Sequence, residues 1–325
     1  MRRQRQTTNP YSSGRRSSSR RPTFTMSNLT AIGSVFLTLT LWFTSPLSDA
    51  IANFVLMTVP LESDVELGLS TWNQDMKFKY PLVYDAWNVG EIGAELVQGR
   101  AMKSFCRRKG SNVDSETCAN QIQLYPWSFR VVHSDQVNAF ALPGGIICVT
   151  DSLLKTLNLT RGEIAALLGH EIGHVLHRHS QAQLMKQDLL LTIVNAILSH
   201  MNPEHSHQAP NRSHSRGPSF DARAGQEESF GDAVGDLLFQ GMQFLGEMKF
   251  SRANEYEADT AAWELLVSSN NYDPRNVQNL LQKLWSLERG NGKTSWEMTH
   301  PGTADRMEAL QAKWESSQRG FRYER

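Results

Sequence analysis

Two histidines four residues apart, with a glutamate beside the first, constrain the fold of this chain more than any other feature. Residues 170–174 read HEIGH. On a helix, side chains four residues apart lie on one face, so the imidazoles of His170 and His174 would point to the same position. Zn²⁺ prefers such nitrogen ligands in tetrahedral geometry. The segment therefore predicts a helix that binds zinc through both histidines, with Glu171 placed to activate a water molecule.

The helix that would carry this segment has a start signal and an apolar stripe. Thr160 is followed three residues later by Glu163, which is the pattern of a capping box. Apolar residues then recur at helical spacing and are predicted to face the core: Ile164, Leu167, Leu168 and Val175. HEIGH is thus expected within a core helix that begins near residue 160.

A catalytic zinc ion needs a third protein ligand as well as an open position for water. The strongest candidate segment is NEYEAD at residues 254–259. Glu255 and Asp259 share a helical face, so Glu255 could bind zinc while Asp259 accepts an imidazole N–H from a ligand histidine and fixes its ring. Glu257 points in roughly the opposite direction and is predicted to be a solvated charge. The alternative is that these acids are only a surface pattern.

A small sheet is predicted between residues 127 and 150. Apolar and polar residues alternate over 127–131, and the stretches 137–142 and 146–150 are rich in β-forming residues. Between those two stretches, PGG at residues 143–145 predicts a turn. Helical patterns occupy residues 86–100, the region from 160, residues 233–266, a segment starting at 273 and residues 304–314. The predicted fold class is α+β, mostly helical with a small sheet.

The first 28 residues have the composition of a targeting segment. They contain seven arginines and many serines, and no acidic residue precedes Asp49. This composition is typical of an organelle transit peptide, and a disordered basic tail is the alternative. Over the whole chain, Lys plus Arg and Asp plus Glu are equal at 33 each, so the overall charge gives no reason to expect a nucleic-acid partner.

Residues 29–47 form an apolar segment that contains no charged side chain. About 19 helical residues would just cross the hydrocarbon layer of a membrane, so this segment is predicted to be a transmembrane anchor. A signal-type apolar region or a buried helix is the alternative. The arginines before it, if retained, would lie on the matrix or cytoplasmic side and place the rest of the chain on the other face.

Behind the anchor, residues 48–85 are predicted to be a linker and residues 86–325 a single domain. This domain contains an insertion at about 200–226 that is rich in Ser, Pro, Asn, Arg and His and is predicted to be disordered. Its histidines could bind metal, although a solvated loop is the simpler reading: His200, His205, His207 and His214. Cys106 and Cys118 could form a disulfide in an oxidising compartment or remain unpaired.

Four segments in a fixed order carry a family resemblance: NAFALPGG from residue 138, HEIGHVLHRH from 170, SRANEYEAD from 251 and THPGTADRM from 299. In this order they resemble the gluzincin family of CAAX prenyl endopeptidases and HtpX-type proteases. Within it, they are similar to the branch of mitochondrial inner-membrane metalloendopeptidases with overlapping activity. The resemblance covers roughly residues 86–310.

The resemblance implies a zincin-type metallopeptidase domain with one Zn²⁺ per chain, bound by His170, His174 and Glu255, and with Glu171 as general base. It places His300 near the metal, where this side chain could stabilise the oxyanion or occupy a fourth zinc position; a purely structural histidine is the alternative. It also implies an edge strand that pairs with the substrate main chain. That strand would comprise Asn138, Ala139, Phe140, Ala141 and Leu142.

The expected protein is therefore a membrane-anchored zinc metalloendopeptidase that cleaves membrane or misfolded proteins in organelle quality control. A mitochondrial inner-membrane location is expected, with the catalytic domain on the intermembrane-space side; a plastid or bacterial envelope membrane is the alternative. Only one candidate span is present, which puts prenylated substrates in doubt. Protein substrates and the membrane are the expected partners, nucleic acid is not, and homo-oligomerisation is left open.

Two other classes of function are compatible with parts of the sequence. One is a non-catalytic membrane scaffold or chaperone that keeps zinc for its structure. Glu171 argues against this class, because a structural zinc site has no use for that carboxylate. The other is a zinc-binding regulator that acts through residues 200–214, and it leaves the four ordered segments unexplained.

Overall fold

The computed structural model describes residues 45–98, 100–107, 115–186, 250–291 and 294–323. Five α-helices of at least eight residues precede the sheet within these ranges: α1 Pro46–Leu56, α2 Leu61–Thr71, α3 Val89–Val97, α4 Arg100–Arg107 and α5 Ser115–Leu124. A π-helical turn, Trp72–Met76, and a short helix, Lys77–Lys79, continue α2. The strands are β1 Ser128–Val132, β2 Ala139–Leu142 and β3 Ile146–Thr150. Then follow α6 Asp151–Leu157, α7 Arg161–Leu176, α8 Arg252–Ser269, α9 Asn276–Asn291, α10 Ser295–Thr299 and α11 Thr303–Tyr323. The α+β prediction, mostly helical with a small sheet, is confirmed.

Several predicted segments lie outside the described residues. These are the targeting segment 1–28, nearly all of the anchor 29–47 and the insertion 200–226. Among the described helices, none combines the length and the apolar character that crossing a bilayer requires.

The sheet has the strand order β1-β3-β2. β1 runs parallel to β3, with Ser128 opposite Ile146, and β2 runs antiparallel to β3, with Ala139 opposite Val149. β2 is therefore an edge strand within the described part of the chain. The predicted turn is present at Pro143–Gly145, where Gly144 has a φ of 73°, a left-handed conformation that favours glycine.

Helix α7 begins where the sequence predicts. Thr160 caps it, because its hydroxyl accepts a hydrogen bond from the Glu163 N–H while the Glu163 carboxylate accepts one from the Thr160 N–H at 2.7 Å. The predicted apolar stripe lies in the hydrophobic core: Ile164, Leu167, Leu168 and Val175. Because α7 is buried on all of its faces, its position relative to α8 and the sheet is fixed.

Helices α7 and α8 approach each other closely because glycines of α7 face alanines of α8. A methyl group added at Gly173 would lie 2.8 Å from the Cα atom of Ala258, and one at Gly169 would lie 3.1 Å from the Cα atom of Ala262. Both neighbours are backbone atoms, which cannot rotate out of the way. The glycine within HEIGH therefore permits the approach of the two helices.

We expect Gly173→Ala to lower the free energy of unfolding by about 1–3 kcal/mol, because the added methyl group must displace the α8 backbone. Urea denaturation would measure the change. Gly290→Ala is a matched control, since a methyl group at this exposed helical position meets nothing within 4 Å. Its stability should stay within about 1 kcal/mol of the wild type. Equal stabilities of the two variants would contradict the role of the close approach.

Residues 48–85, predicted to be a linker, are largely helical and belong to the compact unit Pro46–Arg325. Arg178, beyond the end of α7, donates hydrogen bonds to the Leu56 carbonyl at 2.7 Å and to the Val59 carbonyl at 3.1 Å. It also forms an ion pair with the buried Asp64 at 2.7 Å. Contacts between residues more than 100 positions apart leave no local sequence signal, which explains why the sequence does not predict this packing.

Cys106 of α4 and Cys118 of α5 form a disulfide bond, with their Cα atoms 5.7 Å apart. Both cysteines are buried in the hydrophobic core. The sequence left open whether Cys106 and Cys118 are paired, and in the structure they are.

Candidate metal centre

Four side chains from three parts of the chain converge on one buried point. His170 and His174 come from α7, Glu255 comes from the first turn of α8, and His300 directly follows α10. One ligand atom from each lies within 4.8 Å of the others, and all four residues are buried. The structure thus brings together residues that the sequence assigned to the metal and to catalysis.

The spacing of these donor atoms suits a tetrahedral zinc ion. The Nε2 atom of His170 lies 3.1 Å from Nε2 of His174 and 3.3 Å from Nδ1 of His300. The Glu255 carboxylate oxygens lie 3.5 Å from His170 Nε2 and 3.4 Å from His174 Nε2. Zinc–nitrogen bonds in tetrahedral geometry place ligands about 3.3 Å apart. Imidazoles and a carboxylate at these separations form a donor set that fits Zn²⁺.

Asp259 lies where the sequence predicts, beside the first histidine. Its Oδ1 atom is 2.9 Å from Nδ1 of His170. An ionised carboxylate only accepts hydrogen bonds, so His170 carries its hydrogen on Nδ1 and directs the lone pair of Nε2 into the cluster.

Arg306 of α11 is a site residue to which the sequence assigned no role. Its buried guanidinium lies 2.6 Å from Glu255 Oε2 and 2.7 Å from Asp259 Oδ1. Burial alone would raise the pKa of both carboxyl groups, but Arg306 lowers them, that of Glu255 well below its usual range. Arg306 belongs to THPGTADRM, and that segment was the only available signal of its importance.

Glu171 lies beside the cluster and is fully buried. Neither of its carboxylate oxygens has a hydrogen-bond partner among the residues that the structure describes. Burial raises the pKa of Glu171 to about 7, with a further contribution from Glu255 that His300 and Arg306 oppose. A carboxyl group with this pKa and unused oxygens is suited to exchanging a proton with a water molecule near neutral pH.

His300 presents its two nitrogens to different groups. Its Nδ1 lies 3.1 Å from Glu255 Oε1, and its Nε2 lies 3.7 Å from Glu171 Oε1. The ring stacks on Trp296 at a centroid distance of 4.0 Å, which fixes its plane. The structure thus places His300 within the cluster, in contact with both acids.

The predicted substrate strand is tied to the same region. The Thr299 hydroxyl lies 3.4 Å from the side-chain oxygen of Asn138, so the residue before His300 contacts the residue that directly precedes β2. The Ala141 carbonyl accepts a hydrogen bond from the Ser180 hydroxyl at 3.3 Å. All five predicted residues are less than 10% exposed: Asn138, Ala139, Phe140, Ala141 and Leu142.

A two-residue turn after α7 brings a further histidine to the site. Arg178 has a φ of 54°, so α7 ends at Leu176 and does not carry His177 and His179 onward as part of the motif helix. His179 Nδ1 lies 2.9 Å from His174 Nδ1, and its Nε2 lies 3.0 Å from Glu257 Oε2. The prediction that Glu257 is a solvated charge is therefore incomplete, because its carboxylate contacts a buried histidine.

Comparison with known proteins adds a family and several relatives. Residues 110–314, which include the whole four-residue cluster, match the model of peptidase family M48. The chain is 27% identical to a beta-barrel assembly-enhancing protease of Yersinia pestis, over 75% of this chain and 42% of that protein. It is 28% identical to the mitochondrial metalloendopeptidase OMA1 of Arabidopsis thaliana, over 63% of this chain and 34% of that protein.

A shorter relative and one solved structure complete the comparison. The metalloprotease LoiP of Escherichia coli K12 is 26% identical over 59% of this chain and 64% of its own length. The matches therefore span about a third to two thirds of these relatives. The crystal structure of S. mikatae Ste24p aligns with a TM-score of 0.38 and 21% identity, over 87% of this chain and 63% of that one.

Proposed function

This chain belongs to peptidase family M48, and on that premise we propose that it is a zinc-dependent endopeptidase whose metal is held by His170, His174 and Glu255. The observation that carries the proposal is the convergence of these side chains from two helices on one buried point, at separations that suit zinc. A zinc ion bound there would supply a Lewis acid that polarises the scissile carbonyl and acidifies a water molecule.

The residues of the chain perform the proton transfers. Glu171 accepts the proton of the attacking water and later delivers it to the leaving amine. Its burial and its lack of hydrogen-bond partners among the described residues leave both oxygens available for this exchange. A buried carboxylate without partners is costly, and this cost argues against a scaffold that uses zinc only for structure.

His300 contributes in one of two ways that its geometry supports. Its Nδ1 is close enough to His170 Nε2, at 3.3 Å, to complete a fourth metal position. Its Nε2 faces Glu171 and can donate a hydrogen bond to the oxyanion that develops on the scissile carbonyl. Asp259 acts through His170, whose ring it orients.

We place the substrate main chain along the outer edge of β2 and the residue before it, from Asn138 to Leu142. The position of β2 at the edge of the sheet and the contact of Asn138 with Thr299, next to His300, support this placement. The hydrogen bond from Ser180 to the Ala141 carbonyl would have to open for a peptide to pair there.

We propose that the peptidase is tethered by residues 29–47, preceded by the targeting segment 1–28, and acts on membrane or misfolded proteins. Helix α1, which begins at the end of this segment, exposes Leu47 and Phe54, and Met57 directly after α1 is also exposed, as expected next to a membrane. The disulfide supports an oxidising compartment, such as the intermembrane space or the periplasm. The resemblance to a mitochondrial metalloendopeptidase favours the mitochondrial inner membrane, and the bacterial relatives keep an envelope membrane as the alternative.

Casein digestion by the purified full-length chain in detergent tests the function. We expect cleavage to stop when a chelator removes the metal and to return when one equivalent of Zn²⁺ is added, because the metal supplies the electrophile. Inhibitors of serine and cysteine proteases should have no effect. Undiminished digestion by metal-free protein would exclude a metallopeptidase, and zinc binding without any cleavage would support the scaffold.

A further inference from the structure

Both histidines of HEIGH present Nδ1 to a partner outside the metal cluster. The partner is a carboxylate for one histidine and another histidine for the other. His170 reaches the carboxylate of Asp259 directly, at 2.9 Å. His174 instead meets Nδ1 of His179 at 2.9 Å, and His179 in turn meets Glu257 at 3.0 Å. We infer that Glu257 and His179 are positioning residues that fix the hydrogen of His174 on Nδ1 and thereby direct the lone pair of its Nε2 to the metal. This inference rests on the proposed function.

The position of each hydrogen follows from the carboxylate at the end of the chain of contacts. An ionised Glu257 only accepts, so His179 must carry its hydrogen on Nε2. A neutral imidazole has one such hydrogen, which makes His179 Nδ1 an acceptor. His174 must then donate from Nδ1, and its Nε2 is left with a free lone pair.

The opposite arrangement would disable His174 as a ligand. A hydrogen on its Nε2 would point at His170 Nε2, only 3.1 Å away, and would occupy the position of the metal bond. Stacking on Phe250 at 4.1 Å restrains the plane of the His174 ring, but stacking does not distinguish which nitrogen carries hydrogen. The contact with His179 is what makes that distinction.

His177 lies near the same carboxylate and stacks on the His179 ring at a centroid distance of 5.3 Å. Its Nδ1 is 3.9 Å from Glu257 Oε2, beyond hydrogen-bond distance. Together with His179 and Glu257, it could instead gather a second metal ion. Such an ion would need the lone pair of His179 Nε2, which would move the His179 hydrogen to Nδ1 and force His174 to accept. Occupation of that site therefore conflicts with His174 as a zinc ligand, and the geometry favours the positioning role.

The zinc affinity of the full-length protein, measured by competition with a chromophoric chelator, tests the inference without using proteolysis. We expect His179→Ala to weaken zinc binding about 10–100-fold, as is usual when a partner of a ligand histidine is removed. His179→Asn should recover most of the affinity, because its side-chain oxygen can accept from His174 Nδ1. A purely structural role for the ring would not show this recovery.

Further variants separate the alternatives. Glu257→Ala lies at a partly exposed position, where folding is least at risk, and should also weaken binding. The double variant His179→Ala/Glu257→Ala should bind zinc only slightly more weakly than His179→Ala alone, because both residues act through the same contact. His177→Ala is the matched control and should remain within about twofold of the wild type, since its stacking on His179 does not determine which nitrogen carries the hydrogen.

Three results would overturn the inference. His179→Ala and Glu257→Ala could both bind zinc as the wild type does, or His179→Asn could be as weak as His179→Ala. His177→Ala could lose one equivalent of bound zinc, which would reveal a second ion. A wild-type chain that binds no zinc would overturn the proposed function as well, whereas the first three results would leave it intact.

Discussion

Glu171→Gln is expected to keep its zinc and to lose casein cleavage by about 10²–10⁴-fold, the usual contribution of a general acid–base group. Glutamine has nearly the same shape but cannot accept a proton from water. Glu171 is not among the four side chains that cluster at the candidate metal point, so its replacement should leave the donor set intact. Zinc content after dialysis and the rate of casein cleavage would be measured on the same preparation.

Glu255→Gln is the matched control, because it makes the same chemical change at the proposed third ligand. It should lose most of its zinc, since a neutral amide replaces the carboxylate that faces both histidines. Full proteolysis by Glu171→Gln would remove Glu171 from the mechanism. Loss of zinc from Glu171→Gln would instead place its carboxylate among the ligands.

Replacing Arg306 by methionine is expected to lower the free energy of unfolding by about 3–5 kcal/mol in metal-free protein, as for other broken buried ion pairs. The guanidinium contacts two buried carboxylates, Glu255 and Asp259, and its substitution removes the positive charge that lies against both of them. Added zinc should reduce the loss, because the ion restores positive charge beside Glu255. Urea denaturation with and without chelator would measure the loss of stability in the metal-free and the zinc-bound protein.

Arg252→Met provides the comparison for this variant. Arg252 also forms an ion pair with an acid, Asp305 at 2.7 Å, but both side chains are largely exposed. Exposed pairs contribute about 0–1 kcal/mol, so its stability should change little. If the two arginine variants lost similar stability, the buried charges of the site would not depend on Arg306.

The local parts of the fold could be predicted because their signals lie within a few residues of one another. The capping box of α7, the alternation along β1 and the turn at residues 143–145 are all of this kind. The placement of His170 with His174, and of Glu255 with Asp259, follows from helical spacing in the same way. Helical spacing alone does not predict that these two pairs meet. That prediction rests on the four ordered segments that resemble a known family.

The rest depends on contacts between distant residues. Nothing near Arg306 indicates that its side chain enters the core between two acids. Helical spacing predicts that Glu257 points away from Glu255, but it does not predict that the left-handed conformation of Arg178 brings His179 to meet Glu257. That conformation is uncommon for arginine, and three distant acceptors hold the side chain in place.

The anchoring of Arg178 has a practical consequence for preparing a soluble form of the protein. Its acceptors, the Leu56 and Val59 carbonyls and the Asp64 carboxylate, all lie upstream of the residues that carry the family resemblance. A shortened chain that starts at residue 86 would bury this guanidinium with none of them, one residue before His179. Crystallisation trials should therefore begin with a chain that retains α1 from Pro46 onward.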